Sequence, residues 1–342
     1  MTRFSVTKKL KGEVVTMKGI FNLIVMPLVL ILCIVNFPAF AVDFPTKPIM
    51  IIVTVAPGGS NDIQCRAFAA VAEKIWKQPV VVVNKAGSSG MLGLIAGAEA
   101  APNGYTMTGG STSDICVLEW EIANGRKLEV TRNDFIPIGA FTLAPLLIAV
   151  PYNSPWKTLD DLIKDAKAKP GHYAFASGGL YRIAHINTEL FTKATGLKFR
   201  HVPYSGGGPA VTAIVGGHED FASVTVSSSI PLVKGNKIRI LAVQGDTRVK
   251  SIPEVPTLKE LGIDASLPMC VGLWAPQKTA MPIVEKLRAV VKQVAEDKSF
   301  INVIESQGDE VHFIDGDTFG KILDSQSQKV AKLFKQLAEE KK

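Results

Sequence analysis

Residues 49–64 read "IMIIVTVAPGGSNDIQ", and the order of residue types in this stretch is that of an α/β protein. A run of aliphatic, largely β-branched residues passes through adjacent glycines into a segment with helical spacing, where Phe68, Val71 and Ile75 share one face. The apolar run reads as a buried strand and the i+3/i+4 spacing after it as an amphipathic helix. Glycines between the two let the backbone turn with φ > 0 and remove the Cβ that would hold a ligand away. The helix start adds unpaired N–H groups and a partial positive charge, so the junction suits an anion without any cationic side chain. A simpler reading has Ser60, Asn61 or Asp62 capping the helix. The two readings are compatible, because a cap uses one donor and leaves others free.

The same grammar continues along the chain. A strand over 80–83, a helix over 91–100 and a strand over 106–108 complete a βαβαβ unit, which implies a parallel sheet with helices on both faces. Residues 110–134 show no clear period, and "NGRKLEVTRND" reads as a surface excursion. "FIPIGAFTLAPLLIAV", residues 135–150, is long, apolar and interrupted by Pro145, which suits an extended crossover better than a central strand. A fresh α/β series follows, with helices over 159–168, 183–195, 209–215 and 230–234 and strands over 173–176, 199–202, 221–226 and 238–243. "LPMCVGLWAP", residues 267–276, is a second extended run leading into helices over 282–296, 300–307 and 318–340, with a strand over 311–313. The predicted fold is α/β and two-lobed, each lobe a mainly parallel sheet flanked by helices, with two crossover strands between them. Residues 42–141 plus 268–342 form lobe 1 in this division, and 142–267 form lobe 2. Ligands in such folds sit beyond the carboxyl ends of strands or between domains.

Composition narrows the class. The chain has 342 residues, 47% hydrophobic and 20% charged, which is ordinary for a globular protein and ample for two domains. Near the N-terminus, basic residues precede an apolar centre from Leu23 to Val35 and then Ala39-Phe40-Ala41. This is the plan of a secretory signal peptide, residues 1–41, cleaved after about Ala41, and it predicts a periplasmic protein. Pro27, Asn36 and Pro38 interrupt the run of about 20 apolar residues that a membrane anchor would need. Translation from Met17 gives better signal proportions than from Met1, and both starts stay open. Residues 1–41 carry Arg3, Lys8, Lys9, Lys11 and Lys18 against Glu13, so the formal charge of +7 falls to +3 for the remainder. A charge that small gives no reason to expect nucleic acid or an anionic membrane as partner. Cys65, Cys116 and Cys270 are isolated, with no C-x-x-C spacing; one disulfide and buried free thiols both fit.

Several other strand ends carry small-residue loops. "NKAGSSGMLG", 84–93, spaces its glycines G-x-x-G-x-x-G and follows the second strand, so it is a poor nucleotide fingerprint. "GGSTSD", 109–114, is rich in hydroxyls. "ASGGLYRIAH", 176–185, is another strand–glycine–helix junction that holds Arg182 and His185. Arg182 is either a solvated surface residue or, in a crevice, a forked donor for a carboxylate, and His185 either bonds a neighbouring backbone group or faces a ligand. "HVPYSGGGPA", 201–210, brings Tyr204 to line the cleft or to pack. There is no G-x-S-x-G elbow, no H-E-x-x-H, no clustered His/Cys set and no P-loop.

The run of motifs "DFPTKPIMIIVTVAPGGSNDIQCR", "QPVVVVNKAGSSGMLG", "AAPNGYTM", "HVPYSGGGPAVTAIVGGHEDF", "KIRILAVQGDTR", "IPEVPTLKELG" and "GLWAP" resembles the substrate-binding proteins of tripartite tricarboxylate transporters, the Bug-type periplasmic receptors. The resemblance extends from about Asp43 to the last helix. It implies a monomeric periplasmic receptor, without catalysis or cofactor, that closes on a small organic acid and delivers it to membrane permease subunits. Carried over motif by motif, the resemblance places ligand contacts at Gly58, Gly59, Ser60 and Asp62, with Ser88 and Ser111 near by. In the second lobe it places them at Ser177, Gly179 and His185, with Tyr204 facing and Thr225 to Ser227 at a strand end. "GLYRIAH" departs from the small residues usual before the histidine, and Arg182 is expected to pair with a second ligand carboxylate or to narrow the site. Two other functions stay open: a sensor subunit for a membrane kinase, and a secreted hydrolase using Ser177 and His185.

Overall fold

The protein was analysed as a computed structural model, which describes residues 43–339. The expected signal peptide and both candidate starts lie outside the described residues. Two sheets carry the architecture. The first has six strands: β1 (Ile49–Val53), β2 (Val80–Asn84), β3 (Thr106–Ser111), β4 (Phe135–Ala144), β10 (Met269–Pro276) and β11 (Ile314–Asp315), in the order β11-β4-β10-β3-β1-β2. The second has five: β5 (Leu146–Pro151), β6 (Ala174–Ser177), β7 (Arg200–Pro203), β8 (Phe221–Thr225) and β9 (Ile238–Gln244), in the order β7-β6-β8-β5-β9.

Both sheets are mixed, which refines the expectation of mainly parallel ones. β1, β2 and β3 run parallel, as do β6, β7 and β8, because each is followed by a helix that returns the chain to the same edge. The strands that change lobe run against them: β10 is antiparallel to β3 and β4, and β5 to β8 and β9. Pro145 is the single residue between β4 of the first sheet and β5 of the second. A proline is tolerated there because no ladder needs its N–H where the strand leaves one sheet for the other.

The helices follow as read, with one addition. They are α1 (Ser60–Trp76), α2 (Met91–Ala98), α3 (Thr112–Ala123), α4 (Leu159–Ala168), α5 (Ile183–Thr195), α6 (Gly207–Val215), α7 (Val226–Lys234), α8 (Met281–Ala295), α9 (Lys298–Ser306) and α10 (Gly316–Glu339). Helix α3 occupies the first part of the stretch that shows no clear period, and its first seven residues are buried; "NGRKLEVTRND" follows it as a mostly solvent-facing segment. The expected strand over 311–313 falls instead at Ile314–Asp315. Among the described residues no helix is long and apolar enough to cross a membrane.

Helices cover both faces of each sheet, so strands such as β1, β5 and β9 are apolar over most of their length rather than alternating. One face of the first sheet packs Phe68, Phe141 and Phe300, with Phe68 and Phe141 stacked at 5.2 Å; the other buries Leu94, Ile115, Trp274 and Phe319. The second sheet buries Val224, Ile214 and Ile230 on one side and Phe175, Phe191 and Phe221 on the other. Burying a side chain of this size contributes about 1.5–3 kcal/mol, so these layers hold each strand end in a fixed place. Cys65, Cys116 and Cys270 are free thiols within this packing; burial pushes Cys116 and Cys270 up to about 12 and Cys65 higher still.

Candidate functional site

A cavity of about 50 Å³ lies between the two sheets, at the carboxyl ends of their parallel strands. Its walls are built chiefly from helix starts. Gly59, Ser60 and Asn61 open α1, Ser113 lies in the first turn of α3, and Arg182, Ile183 and Ala184 open α5. Gly206 and Gly207 open α6, and Thr225 caps α7. Each start carries a partial positive charge, and the N-cap residues of α1, α5 and α6 make no side-chain capping bond, although the first amide of α5, Ile183 N–H, donates to Ser113 Oγ. Val55, Leu146, Val224 and Met269 supply an apolar remainder. The Asn61 side-chain amide nitrogen is buried and has no partner in the protein.

The first loop is shaped by its own side chains. Gly58 takes φ +82°, which an L side chain rarely adopts, and its N–H donates to Asp62 Oδ2 at 2.9 Å. Asp62 also accepts from Asn84 Nδ2 at 2.8 Å and pairs with Arg66 at 2.9 Å. Burial works to raise the Asp62 carboxyl, but bonds from Arg66, the Gly58 amide and Asn84 outweigh it and hold it below the usual range. Asp62 therefore holds the turn, while Gly59, Ser60 and Asn61 face the cavity. The Ser60 hydroxyl accepts from Gln64 Nε2 at 3.0 Å, and Gln64 accepts from Thr142 of the crossover.

Arg182 lines the cavity but already has a carboxylate. Its Nη1 lies 3.0 Å from Asp114 Oδ1 and donates to Ser89 O at 2.7 Å. The expected partner, a second carboxylate of the ligand, is thus replaced by one from the other lobe. Of the residues expected to touch ligand, Gly59, Ser60, Arg182 and Thr225 line the cavity. The others lie behind it or elsewhere. Ser88, at φ +46°, shapes the turn that presents Ser89, and Ser111 caps α3 through the Ser113 amide. Gly179 takes φ +145°, and the Tyr204 hydroxyl donates to Glu219 at 2.7 Å. Ser227 is buried beside Asp309.

The serine–histidine reading also changes. Ser177 Oγ is 2.7 Å from His201 Nε2, not bonded to His185, and it is fully buried. His185 Nδ1 accepts the Tyr181 N–H at 2.9 Å, and its ring stacks on His201 at 3.8 Å. Burial, with His185 alongside, pushes His201 down to about 3, so it is neutral. His185, Tyr181, Trp120 and Phe334 instead line a second, wider chamber of about 400 Å³. Sequence reasoning missed Asn61, Ser113, Asp114, Ala184, Gly206 and Gly207 as site residues. Asn61 stood inside the quoted motif, and Gly206 and Gly207 inside "YSGGGPA". The S-x-x-D spacing of Ser111 and Asp114 is a capping-box signal that marks the start of α3.

Two α/β lobes, two crossovers and a cavity ringed by helix starts define a two-lobed solute-binding protein. The family model described as tripartite tricarboxylate transporter family receptor matches residues 64–338, and the chain belongs to that family. Among its relatives, protein BugT of Bordetella pertussis is 31% identical over 272 residues, 79% of this chain and 83% of BugT. A solved structure of a periplasmic transporter superposes with TM-score 0.81 at 31% identity, covering 86% of this chain and 98% of that one. R. palustris Rpa4515, solved with adipate, superposes with TM-score 0.78 at 25% identity, covering 85% and 98%. The chain is a receptor of a periplasmic family.

Proposed function

We propose that this receptor captures a small carboxylate-containing solute in the interlobe cavity and delivers it to the permease subunits of a tripartite tricarboxylate-type transporter. The observation that carries this reading is the convergence of five helix starts, three of them without an N-cap side-chain bond, on one cavity that Asn61, with its unpartnered Nδ2, also lines. Fixed N–H donors and aligned peptide dipoles favour a negative group there, and a carboxylate accepts from several donors at once. The adipate on the related Rpa4515 supports the same class of ligand.

In this reading residues 42–141 with 268–342 and residues 142–267 are the two jaws, and Gly59, Ser60, Asn61 and Thr225 contact the ligand. The protein acts as a monomer after cleavage near Ala41, and the solute leaves unchanged. The test is a thermal-shift screen of small acids on ligand-stripped protein, followed by calorimetry on each acid that stabilises it. Binding of one acid in a 1:1 ratio, with no binding of its primary amide, supports the proposal. Equal binding of acid and amide, or conversion of the bound acid, would overturn it.

A further inference from the structure

Arg182 and Asp114 sit on opposite sides of the cleft. Asp114 is in the first turn of the helix that follows β3 of the first sheet, and Arg182 precedes the helix that follows β6 of the second. Their side chains are 7% and 0% exposed, and among the described residues no other ion pair is buried on both sides. Asp114 is set in place by its own lobe: Oδ2 accepts the Ser111 N–H at 2.7 Å and Oδ1 accepts the Thr54 hydroxyl at 3.0 Å. Arg182 is the N-cap of its helix, where the peptide dipoles disfavour a cation, so its charge depends on a carboxylate from elsewhere.

The contacts around the pair are made for closure. Arg182 Nη1 also reaches Ser89 O, and the Ile183 N–H donates to Ser113 Oγ at 3.0 Å. Trp120 stacks on Tyr181 across the same seam at 3.6 Å. Gly90 has φ +100° and leaves room for the guanidinium, since a Cβ there would stand 2.5 Å from Nη1. Each of these hydrogen bonds and the ring stack joins a group of one lobe to a group of the other.

We infer that Asp114 and Arg182 form a ligand-independent latch, an internal carboxylate taking the place on Arg182 that a ligand carboxylate would otherwise occupy. They are positioning residues: the pair stabilises the shut form, and the solute fills a cavity that the protein can close without it. Removing one member leaves the other's charge buried without a counter-charge in the shut form, which favours opening strongly. The inference goes beyond the reading of the cavity and does not rest on it, because its test contains no ligand.

The experiment is small-angle X-ray scattering on full-length mature receptor, stripped of solute by unfolding and refolding, for wild type, Arg182→Met and Asp114→Asn. Wild type should scatter as the closed structure, and both variants should expand, with the closed-to-open ratio falling roughly tenfold or more. Circular dichroism checks that the variants fold, and the wild-type curve decides even if they do not. An open solute-free wild type would overturn the latch. So would folded variants as compact as wild type.

Discussion

Replacing Asn61 with alanine separates the role of this side chain in binding from its role in stability. Asn61 lines the cavity, and its amide nitrogen is buried and has no protein partner. A buried donor left unpaired costs about 1–3 kcal/mol, so the solute-free protein is held back by it. Bonded to a charged carboxylate, the same donor contributes about 1.5–3 kcal/mol. At about 1.4 kcal/mol per tenfold, Asn61→Ala should weaken binding roughly 10- to 150-fold. Solute-free stability should hold or rise by about 1 kcal/mol, as the unpaired group is gone. Ser60→Ala is the comparison: that hydroxyl accepts from Gln64, which leaves its own proton free for the ligand, so its loss should also weaken binding. Calorimetric titration with the identified acid and scanning calorimetry without it give the two numbers. A melting temperature several degrees lower, or an unchanged Kd, would refute the assignment of Asn61 as a ligand donor.

Three further outcomes follow from the geometry. Burial pushes Asp309 up from 3.8 to about 6, with the Ser227 hydroxyl pulling it back only in part. The folded protein thus holds this proton more tightly than the unfolded chain. The stability it contributes is fully present below about pH 4 and is lost as pH rises through 6, a change on the order of 3 kcal/mol. Asp309→Asn should therefore gain on wild type between pH 4 and pH 7 in urea titrations, and a pH-independent difference would count against the burial. Gly90→Ala should lower the melting temperature by several degrees, since strain of about 1–3 kcal/mol arises from φ +100° and the clash with Arg182; an unchanged melting curve would contradict the close approach. Arg182→Met should bind solute faster but less tightly in stopped-flow measurements, because an open cleft admits ligand and a shut one retains it; slower association would contradict the latch.

Much of the fold was legible because local pattern and tertiary role coincide. The helices over 159–168 and 183–195 carry their own periodicity and end signals, and both crossovers announce themselves as long apolar runs. Helix α3 was not legible from period, since its apolar and polar residues do not separate cleanly and both faces meet protein. The cavity was partly legible at Gly59 and Ser60, where a strand ends in glycine. Asn61 stands out from the sequence only as one of three residues able to cap the helix, because cap and ligand donor share one residue type; the cap position itself is Gly59. The Ser177 partner was misread for a topological reason. His185 is near in sequence, but β6 and β7 pair with Phe175 opposite His201, which brings His201 onto the face of Ser177. The Asp114–Arg182 pair joins positions 68 residues apart in different lobes, and no local spacing encodes such a contact.

The division of the helix starts between lobes ties affinity to closure. α1 and α3 belong to the first sheet and α5, α6 and α7 to the second, so neither lobe alone presents the full set of dipoles. Each start is worth about 0.3–1 kcal/mol to a nearby anion, more where it is partly buried. An open receptor therefore offers a carboxylate only part of that field, and water competes for the donors that remain. Shutting the lobes assembles the rest and excludes water, which strengthens every interaction inside. Because the donors are main-chain groups, hydroxyls and a neutral amide, with the one cationic side chain on the wall engaged by Asp114, no mobile side-chain charge has to be released when the lobes part. The same arrangement that makes the shut site attractive to an anion thus lets the open site give it up.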